Sequence, residues 1–133
     1  IEYDIPILQH AWHKATGNLP HESKPTHVAA LAERYPEANI IMAHIAGDWE
    51  RGIEAISPYR NVYVDTSGSI IEAGMVERAV DVLGARRVLF GSDAHGVDLP
   101  VAVAKILGAE IPDYSRDMIM GGNMQALLDR RVG

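Results

Sequence analysis

The chain has 133 residues, 47% of them apolar, with 12 basic against 18 acidic side chains and a net charge of −6. That is one domain's length of chain with enough apolar material for a core, and an acidic balance without a basic stripe argues against nucleic acid or an anionic membrane surface as the main partner. There is no cysteine, hence no disulfide or thiolate metal site, and no apolar run approaches the roughly 18–20 residues of a membrane span.

The chain opens Ile1–Glu2–Tyr3–Asp4, without Met, and enters a strand almost at once, so it is expected to be a piece of a longer protein. Ile5–Pro6–Ile7–Leu8–Gln9–His10 reads as the first strand, and Gly17–Asn18–Leu19–Pro20 as a loop. A helix follows over Pro25–Tyr35. Proline suits its first turn, Val28, Leu31, Ala32 and Tyr35 repeat at one-face spacing, and Pro36 ends it. The second strand covers Asn39–His44. Asp48 is placed to cap a short helix in which Trp49, Ile53 and Ile56 share a face. The third strand is Val62–Asp65, followed by Thr66–Ser67–Gly68–Ser69 and a longer helix over Ile71–Leu83 that Gly84 stops. Val88–Ser92 is the fourth strand. A helix near Pro100–Leu107 and a last one opened by Asn123, its expected cap, complete the series. Apolar strands alternating with helices indicate an α/β fold of four βα units in a row, with a parallel sheet covered on both faces.

The strands run straight into polar residues: His10, His44, Asp65 and Asp93. Active sites of parallel α/β folds lie at the carboxyl ends of the strands, so four such endings at one edge form a site pattern. Side chains two apart share a face. If His44 points inward, Met42 and Ile40 should too. Asp93 would bring Gly91 and Leu89, leaving Phe90 and Val88 for the helices. His10 would bring Leu8, with Ile7 facing out and Gln9 toward the helix layer.

Tyr35–Pro36 leading into Ile40–Ile41–Met42–Ala43–His44–Ile45–Ala46–Gly47, then Asn61–Val62–Tyr63–Val64–Asp65–Thr66–Ser67–Gly68, then Val88–Leu89–Phe90–Gly91–Ser92–Asp93, and finally Gly122–Asn123 opening the last helix, together resemble the amidohydrolase-related family of metal-dependent hydrolases and decarboxylases. The likeness runs in order over nearly the whole chain. It implies a (βα)4 half of a TIM (β/α)8 barrel, strands five to eight, with residues 1–133 as one C-terminal half-barrel segment. It also implies His10 as a metal ligand, His44 as the catalytic histidine and Asp93 as a carboxylate that both holds metal and accepts a proton. The family's His–X–His pair has no counterpart here, and His10–Ala11–Trp12–His13 has the wrong spacing to replace it.

Imidazole and carboxylate donors suit a divalent metal, Zn2+ first, with Mn2+ or Fe2+ also compatible. Such a site would act on a small organic acid, lactone or amide, by hydrolysis or decarboxylation. Asp65 and His95 are candidates for contacting substrate, Asp65 alternatively for orienting a neighbour. Asp93–Ala94–His95 departs from the family and also resembles PHP-type metallophosphoesterases, which would make His95 a ligand. A non-catalytic half-barrel assembly module is the third reading. Too few ligands lie on this chain for a competent zinc site, so alone it is expected to be inactive. Its open strand edges would pair with the other half of the barrel or with a second copy. A cytoplasmic location is expected.

Overall fold

The structure, a computed structural model, describes residues 5–129. The chain start at Ile1–Asp4 and residues 130–133 lie outside the described residues. Four parallel strands, β1 (Ile7–Gln9), β2 (Ile40–Met42), β3 (Val62–Asp65) and β4 (Val88–Leu89), form one sheet in that order. Leu8 aligns with Ile41 and Tyr63, and Asp65 with Leu89. Helices α1 (Pro25–Arg34), α2 (Trp49–Ile56), α3 (Met75–Leu83) and α4 (Leu99–Leu107) follow the successive strands. The chain closes with α5 (Asp113–Asp117), a π-type turn over Met118–Gly122 and α6 (Asn123–Asp129). The expected α/β alternation is what the structure shows.

Strand alternation divides the apolar residues between two cores. Ile40, Met42, Val62, Val64 and Val88 face the helices and are fully buried with Val28, Ile53 and Ala79. Ile41, Tyr63 and Leu89 occupy the other face, covered by Leu127 and Met124 of α6. Burying each such side chain is worth about 1.5–3 kcal/mol, so the two faces fix the register of the sheet. The expectation for β4 holds, with Leu89 inward and Val88 outward. For β2 it fails: Ile40 and Met42 face the helices, because the strand stops at Met42 and face-counting cannot be carried on to His44.

Element ends follow local chemistry. Proline at the first turn starts α1, and Asp48 caps α2 by accepting from the Arg51 backbone N–H (3.4 Å). Gly84, with φ of 83°, ends α3 as expected. That helix begins at Met75 rather than Ile71, since Gly74 takes a left-handed φ of 88° that interrupts the turn before it, and Ile71 stays exposed. Strand β4 stops at Leu89, short of Ser92, because the Phe90 N–H donates to Ile119 O instead of to β3 (2.9 Å). Asn123 does not cap α6. Its backbone is already helical, and its side chain donates to Ala85 O and Val88 O at 2.7 Å each, tying α6 to the start of β4.

Candidate active site

The residues that follow the strands converge on one hollow of about 620 Å3 at the carboxyl edge of the sheet. His10, His44, Asp65, Ser67, Ser92 and Asp93 supply its polar side chains, and Leu8, Ile41, Phe90 and Met124 much of its apolar wall.

His44 reaches the hollow through a strained turn. His44, Ile45 and Ala46 all have left-handed backbone, with φ of 67°, 44° and 71°. This conformation costs a residue with a side chain roughly 1–2 kcal/mol, and a β-branched isoleucine is an outlier there. Such strain persists only where the surroundings dictate it. Ile45 and Ala46 are fully buried, the His13 N–H donates to Ala46 O (2.7 Å), and the His44 N–H donates to Asp65 Oδ1 (3.0 Å). Gly52 of α2 presses from below so closely that a Cβ there would lie 2.4 Å from that of Ala46. Trp12 packs edge-on against the His44 ring, centroids 5.7 Å apart.

Four side chains then form a continuous hydrogen-bonded chain. Asp65 Oδ1 accepts the backbone N–H groups of His44 and Ser67, each at 3.0 Å, and also the Ser67 hydroxyl. Ser67 Oγ lies 2.8 Å from His44 Nδ1, and His44 Nε2 lies 3.0 Å from His10 Nδ1. The polarity follows from donor arithmetic. Asp65 Oδ1 acts throughout as acceptor, so the Ser67 hydroxyl proton points to it and Ser67 Oγ must accept from His44 Nδ1–H. Neutral His44 then has a bare Nε2, to which His10 Nδ1–H donates. His10 keeps a lone pair on Nε2.

Burial is the main influence on His44 and pushes its pKa below the usual imidazole value; nearby His10 and Lys105 act in the same sense, while Asp65 and Asp93 oppose it. The neutral form assumed above is thus the favoured one.

The sequence-derived site residues fare differently. His10, His44, Asp65 and Asp93 share the hollow, with the two imidazoles in direct contact. Asp93 is exposed and in left-handed backbone, φ 55°. Asp65 is buried, and its Oδ1 is taken up by His44 and Ser67. His95 is exposed and is not among the residues lining the hollow. His13 turns toward Asp48, 3.9 Å away, rather than joining His10. The sequence alone gives Ser67 as part of the turn after β3. The available signal is its place two residues after Asp65, where an Asp side chain accepts the backbone N–H two residues on in an Asx turn.

The donors fit a divalent cation in kind, imidazole nitrogen and carboxylate oxygen, but not in number. Among the described residues no group of three His, Asp or Glu lies close enough to hold an ion, whereas a catalytic zinc takes three protein ligands. His10 and Asp93 both line the hollow.

A family model described as "Amidohydrolase" matches residues 1–130. None of the curated proteins matches. Among solved structures, an uncharacterised TIM-barrel protein from Bordetella bronchiseptica aligns with a TM-score of 0.76 at 18% identity, covering 99% of this chain and 48% of that one. The 2,6-dihydroxybenzoate decarboxylase from Rhizobium aligns with a TM-score of 0.72 at 18% identity, over 96% and 52% of the two chains. A dihydroxybenzoic acid decarboxylase from Polaromonas sp., with bound manganese and the inhibitor 2-nitroresorcinol, gives 0.68 at 19% identity over 95% and 50%. The chain therefore has the fold of a partial TIM barrel and spans about half the length of these structures.

Proposed function

This chain belongs to the amidohydrolase family, and from that premise we propose that its hollow is part of a metal-dependent active site that decarboxylates or hydrolyses a small organic acid, lactone or amide. The observation that carries the reading is the chain of hydrogen bonds from Asp65 through Ser67 and His44 to His10 at the carboxyl edge of the sheet. Decarboxylation of a hydroxylated aromatic acid is the first reaction to test, since two of the similar structures are decarboxylases of dihydroxybenzoates.

His10, through its free Nε2, and Asp93 would hold a divalent metal, with the missing donors contributed from outside these residues. Zn2+ is our first choice on donor chemistry, and Mn2+, as bound in the Polaromonas relative, is the next. Such an ion would supply Lewis-acid chemistry there. The proton work falls to His44. In hydrolysis its Nε2, once the contact with His10 Nδ1–H opens to admit water, takes a proton from the attacking water. In decarboxylation the same nitrogen, protonated from solvent after that contact opens, delivers its proton to the carbon that loses CO2. Ser67 and Asp65 stabilise the imidazolium through Nδ1–H, the role a carboxylate plays behind a catalytic histidine. We assign Asp65 to orienting His44 rather than to touching substrate.

The phosphoesterase alternative needs His95 beside Asp93 in the hollow, and the position of His95 outside its lining gives that no support. The partner expected for the chain is a small-molecule substrate, with the remaining barrel strands supplied by a longer parent chain or a second copy. Among the described residues no helix is long and apolar enough to cross a membrane.

The test is kinetic. The full-length protein is assayed with hydroxybenzoates, lactones and amides, and His44→Asn is compared with wild type at equal metal content. Loss of about 10²–10⁴-fold in kcat with metal retained is expected for the proton carrier. Full activity in His44→Asn would defeat the proposal.

A further inference from the structure

The loop that carries Ser67 is held from behind by a lysine. Lys105, near the end of α4, is half-buried and donates to the carbonyl oxygens of Thr66 (2.8 Å) and Gly68 (2.9 Å). It is not among the residues lining the hollow. Its two acceptors are the peptide groups of the residues on either side of Ser67, so one ammonium group fixes the backbone before and after that hydroxyl. Burial of Lys105 lowers its pKa, while Asp65 and Asp93 oppose the shift, and a charged donor makes hydrogen bonds roughly twice as strong as a neutral one.

The loop has no slack on its other side. Thr66 is fully buried, and its N–H donates to Leu89 O (3.0 Å). Gly68 has a φ of 85° and lies against the His44 ring, where a Cβ would come within 3.0 Å of Nδ1. Movement of this segment by a few tenths of an ångström therefore changes both the clearance of the imidazole and the contact of Ser67 Oγ with Nδ1.

We propose that Lys105 is a positioning residue for His44: by clamping the carbonyls on both sides of Ser67 it holds Ser67 Oγ at the distance that keeps His44 protonated on Nδ1 and bare on Nε2. This rests on the reading of His44 as the proton carrier. Lys105 touches neither substrate nor reacting atoms and acts entirely through the loop.

The experiment uses the intact protein labelled with 15N-histidine and reads the protonation of each His44 ring nitrogen by two-bond proton–nitrogen spectroscopy. Wild type should show Nδ1–H and a bare Nε2. Lys105→Met, which keeps the length and loses the donors, should mix the two tautomers, and Lys105→Arg should restore the wild-type pattern. Arg116→Met is the structural control, since Arg116 also donates to backbone carbonyls (Ala109 O at 3.1 Å, Ile111 O at 3.3 Å) but away from the hollow. It should leave the His44 signals unchanged. In the enzyme assay Lys105→Met should lower kcat by about ten- to a hundred-fold, the scale of a small misplacement, with KM within about two-fold of wild type. Should Lys105→Met fail to fold, Lys105→Gln, with a donor for one carbonyl, serves in the same comparison. The proposal is overturned if His44 is not protonated on Nδ1 in wild type, if the lysine variants leave its spectrum unchanged, or if Arg116→Met disturbs it equally. A wild-type protein without hydrolase or decarboxylase activity would remove the proton-carrier reading, while the spectra would still decide whether Lys105 sets the tautomer.

Discussion

Removing the Asp65 carboxylate should unfold the His44 turn before it affects anything else. Asp65 is 8% exposed, and its Oδ1 accepts three hydrogen bonds, from His44 N–H, Ser67 N–H and the Ser67 hydroxyl. In Asp65→Ala two backbone N–H groups lose their acceptor in a buried setting. At about 1–3 kcal/mol each this costs about 2–6 kcal/mol. Relief of the left-handed backbone at residues 44–46 offsets some of this, so the net loss is expected to stay above about 1 kcal/mol. Asp65→Asn keeps an acceptor oxygen of the same shape and forfeits only the charge assistance, about 1 kcal/mol. Urea unfolding followed by circular dichroism measures both. Equal losses in the two variants, or a loss below about 1 kcal/mol in Asp65→Ala, would refute the view that this carboxylate holds the turn.

Other perturbations probe the surrounding parts. Gly52→Ala places a Cβ 2.4 Å from that of Ala46 and should cost about 1–3 kcal/mol by thermal unfolding; an unchanged melting temperature would show that the turn is free to move. Leu127→Ala empties the inner face beside Ile41, Tyr63 and Leu89 and should cost about 2–5 kcal/mol, whereas a neutral result would mean that α6 does not cover that face. His44 also makes stability depend on pH. Its folded pKa lies below the unfolded value of 6.5, so between the two the unfolded chain binds more protons. The contribution is therefore complete above the unfolded pKa and is lost as pH falls through that window, and stability should rise with pH there. His44→Gln should flatten this slope in unfolding measurements from pH 5 to 8, and identical slopes would contradict the burial of a neutral imidazole.

Much of the architecture is legible in the sequence because its determinants are local. The apolar runs at Ile40, Val62 and Val88, the proline at Pro25 and the glycine at Gly84 each act within a few residues, and all four strands form where their runs stand. What escaped depends on contacts between distant segments. Counting along β2 puts His44 on one face with Ile40 and Met42, yet those two face outward and the imidazole arrives through a left-handed turn held by Asp65, His13, Trp12 and Gly52. Asn123 carried the signature of a cap and instead binds the carbonyls of Ala85 and Val88, a choice no local pattern encodes. The α5 helix has a readable start in Pro112–Asp113, a stiff residue followed by an acidic first turn. Lys105 had no signal at all, since its partners lie 37 and 39 residues away.

Metal content is the most direct measurement of the central claim. The full-length protein, purified without chelators, is analysed for bound zinc, manganese and iron alongside His10→Ala and Asp93→Ala, with circular dichroism confirming that each variant is folded. A stoichiometric ion in wild type that is lost or bound far more weakly in both variants is the predicted result. A metal-free wild type that is nevertheless active, or variants that keep the full complement of metal, would contradict the assignment of His10 and Asp93 to a metal centre.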